Sequence, residues 1–235
     1  MQLHSKRVRK DLERRPANPQ PLEEAIKTLK GFSKPKFDQT VDIVFHLGID
    51  AKQADQLVRG SVSLPKGIGK TKKVIAFCME GDAVTARAAG AIEAGGDELI
   101  DKVNKGWTDF DVAIAHPGLM PKVSRLGKVL GPQGKMPSPK SGTVTADIAG
   151  AVKEYAAGKV EFRNDAGGNV HAIVGKMSFA DADLRDNVLA FIDHVKRLKP
   201  TTSKGTFFKT VSISGTMSPS VQLDIAHLQG EEEHE

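Results

Sequence analysis

Two short runs, "KKVIAFC" at residues 72–78 and "DVAIAHP" at 111–117, constrain the fold more than any other feature of the chain. Each is continuously apolar rather than alternating, the pattern of a strand buried on both faces. Between them, "DAVTARAAGAIEAG" puts Val84, Ala88, Ala91 and Ile92 on one helical face, and "DELIDKVNKG" reads as a shorter helix. Strand, helix, strand in this order predicts a parallel α/β unit.

The flanking stretches keep a different rhythm. "LEEAIKTLKGF" places Leu22, Ala25, Ile26 and Leu29 on one helical face, closed by Gly31. "TVDIVFHLGI" alternates Val41, Ile43, Phe45 and Leu47 with Asp42 and His46, a half-buried strand. "DAKQADQLVRG" is expected to be a helix capped by Asp50, with Ala54, Leu57 and Val58 as its apolar face. After the middle come the strand patterns "KVEFRND", "NVHAIVG", "TFFKTVSIS" and "VQLDI", with "AGGN" at 166–169 as a hairpin turn. One helix lies among them, with Leu184, Val188, Phe191, Ile192, Val195 and Leu198 on its core stripe and a stop before Pro200. The start and the end are each too small to stand alone. They are therefore expected to fold together as a discontinuous α+β domain, residues 1–70 and 159–230, with an α/β domain, 71–158, inserted between them. The acidic "EEEHE" at 231–235 is expected to be a disordered tail.

Chemistry finds little to work with. "LPKGIGKT" looks like a phosphate loop, with Gly67, Gly69, Lys70 and Thr71. A Walker loop, however, needs glycine where Leu64 stands, and it runs from strand into helix, whereas here a strand follows and Pro65 removes a donor. The first turn of the middle unit, "MEGDAV", carries the single Gly81 and no G-x-G-x-x-G, which argues against a dinucleotide site. Seven histidines show neither H-E-x-x-H nor paired ligand spacing, so no metal is expected. No G-x-S-x-G occurs, and Cys78 lies within an apolar strand that suppresses the thiolate. One cysteine excludes an internal disulfide and fits a reducing compartment. Asp109 and Asp111 are accounted for by capping and solvation. No run reaches membrane-spanning length, and the charged N-terminus lacks the apolar core of a secretory signal.

Charge points elsewhere. The net charge is +5, although the last five residues alone contribute four negative charges. Residues 71–158 are nearly balanced, with 11 basic and 10 acidic side chains, while 1–70 hold 14 against 8 and 159–230 hold 9 against 7. A surplus confined to the two ends fits a polyanion partner. The irregular "GKVLGPQGKMPSPKSGTV" adds Lys128, Lys135 and Lys140, which suit phosphate contact or ordinary solvation equally.

Five stretches together carry a family resemblance: "KFDQTVDIVFHLGID", "DQLVRGSVSLPKGIGK", "GPQGKMPSPKSGTV", "VEFRNDAGGNVHAIVGKMSF" and "KGTFFKTVSISGTMSPSV". In order, from about residue 20 to 225, they resemble the first-numbered protein family of the large ribosomal subunit, in its bacterial form. The resemblance implies a discontinuous domain with a Rossmann-like insertion, and a cytoplasmic, non-enzymatic ribosomal protein without cofactor or small-molecule substrate. It implies large-subunit ribosomal RNA, exit-site transfer RNA and the protein's own messenger RNA as partners. The family's RNA-contacting surface matches Lys36, Phe37 and Thr40 in "PKFDQT", and Thr210, Thr216, Met217 and Ser218 in "KTVSISGTMSPS". Arg163 and His171 are further candidates. Lysine suits phosphate, hydroxyls suit 2′-OH groups, and an apolar side chain suits a sugar or base face. Pattern alone reads Phe37 as a core residue and Thr216 as a turn hydroxyl. The family commonly has serine at Thr210 and glycine at Ser218. "LPKGIGK" resembles the family's interdomain linker, so Gly67 and Gly69, with Gly158 on the return path, are expected to be hinges.

Overall fold

The structure is a computed structural model that describes residues 5–225; the acidic tail lies outside them. The chain forms two compact units. One comprises the chain up to Val58, Leu64–Gly69, and the chain from Phe162 onward; the other comprises Arg59–Ser63 and Lys70–Glu161.

The first unit is a four-stranded antiparallel sheet under two long helices. Its strands are β1 (Thr40–Leu47), β7 (Asn169–Lys176), β8 (Phe208–Gly215) and the short β9 (Val221–Gln222), in the order β7-β1-β8-β9. Alternation in β1 sends Val41, Ile43, Phe45 and Leu47 inward. Helices α2 (Leu22–Gly31) and α8 (Asp181–Arg197) cover that face, burying Ala25, Ile26 and Leu29, and Leu184, Val188, Phe191, Ile192 and Val195. Phenylalanine fills the layer between: Phe45 stacks on Phe191 and Phe208, each at 5.5 Å between centroids, and Phe162 meets Phe191 edge-on at 5.1 Å. A further helix, α1 (Lys6–Glu13), precedes them, with Asp11 fully buried.

The second unit is layered differently. Strands β3 (Val74–Phe77), β4 (Glu93–Gly95) and β5 (Val112–Ala115) run parallel in the order β4-β3-β5. Alternate residues of β3 feed opposite cores. Val74 and Ala76 face α3 (Glu80–Ala88) and α7 (Ile148–Ala156), while Ile75 and Phe77 face α4 (Asp97–Asn104) and the short helices α5 (Met120–Val123) and α6 (Gly127–Leu130). Strands β2 (Arg59–Val62) and β6 (Val160–Arg163) form a separate two-stranded sheet.

Three expectations need correction. Residues 50–56 form turns instead of a helix: Asp50 accepts from the Lys52 amide, Gln56 caps the Asp50 amide, and Leu57 is exposed. Local side-chain bonds to backbone outcompete a helix here. The helix read through Ile92 stops at Ala88, because Gly90 takes a φ of 111° and the chain continues as β4. Val84 and Ile92 are consequently exposed, and Ala86 is the buried residue. Residues 59–63, assigned by sequence to the discontinuous domain, group with the inserted unit, where β2 packs against the 3-10 turn Pro139–Ser141.

The glycines expected at hinges have local reasons to be glycine. Gly69, at φ 70°, has room for no Cβ, which would lie 2.8 Å from the Phe179 ring. Gly67, at φ 63°, closes a turn onto the Leu64 carbonyl. Gly158, at φ 108°, terminates α7 by donating to Tyr155.

Candidate nucleic-acid interface

One end of the sheet in the first unit gathers residues from both halves of the chain. Thr40 opens β1 opposite Lys176, the last residue of β7, and Val41 lies opposite Gly215, the last of β8. The Thr216 amide donates to the Thr40 carbonyl at 3.1 Å, and the Thr40 amide donates to the Thr216 hydroxyl, also at 3.1 Å. That hydroxyl is thus engaged by backbone, as a turn residue's would be. Lys176 Nζ donates to the Thr40 hydroxyl at 2.8 Å. Ser218 turns its hydroxyl onto the Gln39 side-chain oxygen at 3.1 Å, so its side chain folds inward.

Around this seam stand the contacting groups. Phe37 is 52% exposed and Met217 51%, so both apolar side chains stand open to solvent. The core reading of Phe37 is overturned: the chain enters β1 from a bend, and the ring stays outside the α2–α8 layer. Beside Phe37 lies a hollow of about 300 Å³, lined by Lys30, Lys34, Pro35, Asp38, Gln39, Met177 and Ser178. Its wall is fixed by Asp38, whose two carboxylate oxygens accept from the Ser178 amide and hydroxyl. Lys34 and Lys36 are exposed, and among the described residues neither forms an ion pair.

The remaining candidates lie elsewhere on the same unit. Thr210 pairs with His46, six residues along β1 from Thr40, or ~20 Å at the usual strand rise. His171 faces Val44 and stands 3.8 Å from the Asp165 carboxylate. Asn169's side chain, then its backbone amide, holds that carboxyl below its ordinary range. Arg163 is exposed at the end of β6. Burial pushes the Asp42 carboxyl up, against the pull of His171 and Lys176. The structure therefore assembles Lys36, Phe37, Thr40, Thr216, Met217 and Ser218 into one patch, and leaves Thr210, His171 and Arg163 apart from it.

Sequence reasoning missed Lys176, Lys34, Gln39 and Arg7 around the patch. Lys176 had a local signal, a cation ending an alternating strand; the others acquire their positions from contacts across the chain. In the second unit, Cys78 is buried and burial pushes its thiol up, which leaves it protonated and unreactive.

Residues 29–219 match the Ribosomal protein L1p/L10e family. The chain belongs to that family. It is 54% identical to the large ribosomal subunit protein uL1 of Nocardioides sp. over 200 residues, 85% of this chain and 83% of the relative. The uL1 protein of Chlorobaculum tepidum is 50% identical over 202 residues, 86% and 87% of the two chains. That of Nitratidesulfovibrio vulgaris is 48% identical over 225 residues, 95% and 96%. A uL1-family chain is a structural component of the large ribosomal subunit, and the two-unit α/β architecture described above is the frame it provides.

Proposed function

We propose that the patch at the end of the β7-β1-β8 sheet binds a folded segment of large-subunit ribosomal RNA. The observation that carries this reading is the coincidence at one place of an exposed phenylalanine, an exposed methionine and unpaired lysines. Cations hold phosphates without reading sequence, and Phe37 and Met217 offer faces for a sugar or an unstacked base. Both come from the ends of the chain, where the positive surplus lies. Exit-site transfer RNA and the protein's own messenger RNA are finer readings of the same kind. A messenger that folds like the ribosomal segment would compete for the same patch, and binding there would repress its translation. Thr210, His171 and Arg163 then form a separate and weaker contact region.

The test is equilibrium binding of the full chain to deproteinised large-subunit ribosomal RNA over a salt series, with ATP, GTP and NAD as controls. The expected result is salt-dependent binding to the RNA and none to the nucleotides. Micromolar binding of a nucleotide together with no RNA binding would overturn the reading in favour of a nucleotide-dependent enzyme.

A further inference from the structure

Met217 presents its side chain outward, yet its backbone is held by two side chains from far along the chain. Its amide donates to Gln39 Oε1 at 2.8 Å, and its carbonyl accepts from Arg7 Nη2 at 3.0 Å. The same Gln39 oxygen accepts the Ser218 hydroxyl, and the same guanidinium donates through Nη1 to the Ser33 carbonyl at 3.0 Å. Gln39 is only 2% exposed, so it has almost no surface to offer a ligand. Its own backbone carbonyl accepts the Met177 amide at 2.9 Å, which anchors it to the end of β7. A Cβ on Gly215 would approach Gln39 Oε1 to 3.1 Å, so a side chain at that position would crowd this amide. On α1, one turn beyond Arg7, Asp11 is fully buried and accepts both the Ser33 amide, at 3.1 Å, and the Ser33 hydroxyl, at 2.8 Å.

The β1–β8 pairing ends with the Thr216 amide on the Thr40 carbonyl, and beyond it the two loops of the patch, around 33–40 and 215–218, are joined by the side chains of Gln39 and Arg7. We propose that Gln39, assisted by Arg7, is a positioning residue for RNA recognition: it fixes the Met217 peptide so that the Met217 side chain stands ready beside Phe37's loop. The proposal rests on the RNA-binding reading of the patch. Its physical basis is preorganisation. A four-residue turn that had to be ordered on binding would subtract its ordering entropy from the affinity, and a turn already clamped does not. Gln39 carries no charge, which makes its contribution separable from that of the lysines. Removing it takes away an acceptor from two donors while leaving every cation in place.

The experiment uses the full chain and deproteinised large-subunit ribosomal RNA, with three variants. Gln39→Met fills the same space without an acceptor. It is expected to unfold cooperatively, to bind about tenfold more weakly, and to leave the slope of log affinity against log salt unchanged. Hydrogen exchange at the Met217 amide should quicken in the free protein. Gln39→Glu restores an acceptor oxygen, so it should restore protection of the Met217 amide, while its added negative charge should keep RNA affinity below the parent's. Arg7→Lys keeps the charge but loses the fork that spans Ser33 and Met217. It should weaken binding at constant slope, and it carries the test if Gln39→Met fails to fold. A parent that binds, with Gln39→Met folded and equally tight, overturns the proposal alone. So does Arg7→Lys at parental affinity, should it be the only folded variant. A Met217 amide that exchanges as fast in the parent as in Gln39→Met would likewise overturn it, because the side chain would then not hold that peptide. A parent that does not bind the RNA overturns the functional reading and this proposal together.

Discussion

At the scale of single residues, the patch separates into side chains that reach outward and side chains that hold. Lys36 reaches outward: Lys36→Ala should weaken RNA binding and flatten the salt slope by roughly one, the mark of a lost phosphate contact. Phe37 is already half in water, so Phe37→Ala should leave stability within about 0.5 kcal/mol while costing binding about 1–3 kcal/mol, with the slope unchanged. Equal affinity for Phe37→Ala and parent would remove the ring from the interface. Away from the patch, the second unit carries its own titration. Burial raises the Glu161 carboxyl above its ordinary value of 4.5, against the pull of Lys72, the Tyr155 hydroxyl, Arg59 and Lys159. Burial also lowers Lys72 and raises Tyr155. A raised acid contributes stability that is complete below the unfolded value and lost as pH rises through the folded one. The parent should therefore lose stability as pH climbs from about 4.5, and Glu161→Gln should lack that part of the decline. Trp107, the only tryptophan and a member of this unit, supplies the fluorescence signal.

At the scale of elements, the segment 64–69 behaves as a strap on the first unit. Asn187 of α8 is fully buried and makes three bonds at once: it accepts the Lys66 amide at 3.0 Å and donates to the carbonyls of Gly67 and Val174 at 2.9 and 2.8 Å. Ile68 is buried beside it. A polar residue on the apolar stripe of a helix is thereby accounted for, since it satisfies backbone that would otherwise be stranded. Asn187→Leu keeps the volume but leaves a donor and two acceptors without partners. It should destabilise the first unit by about 3 kcal/mol in urea unfolding, and it should open residues 64–69 to proteolysis. Unchanged stability with a protected strap would show that packing of Ile68, and not the amide, holds the segment.

At the scale of the whole molecule, each unit has its own core. The phenylalanine layer belongs to the first, and the two clusters on either side of β3 belong to the second. A short Gly/Ser link in place of residues 70–161 should accordingly leave a folded first unit that still binds ribosomal RNA. The isolated middle segment should bind poorly, because its charge is nearly balanced. If the middle segment held most of the affinity, the patch at the sheet end would not be the main interface.

What the sequence determined alone is what periodicity and composition encode. The period-two alternation of β1, the unbroken apolar runs of β3 and β5, and the stripe on α8 each survive in the structure, because burial of one face or two is a local property of a strand or helix. The helix α7 was equally legible in principle, since Ile148, Ala151, Val152 and Tyr155 follow helical spacing behind the Asp147 cap. Residues 50–56 and the end of α3 were misread because turn bonds and Gly90 overrode an apolar spacing that continued past them. The patch itself was legible only as a list of residues. That Thr216 meets Thr40, that Gln39 holds Met217, and that Thr210 falls ~20 Å away depend on antiparallel register between strands some 170 residues apart. Register is set by the packed sheet as a whole, and no single segment carries it.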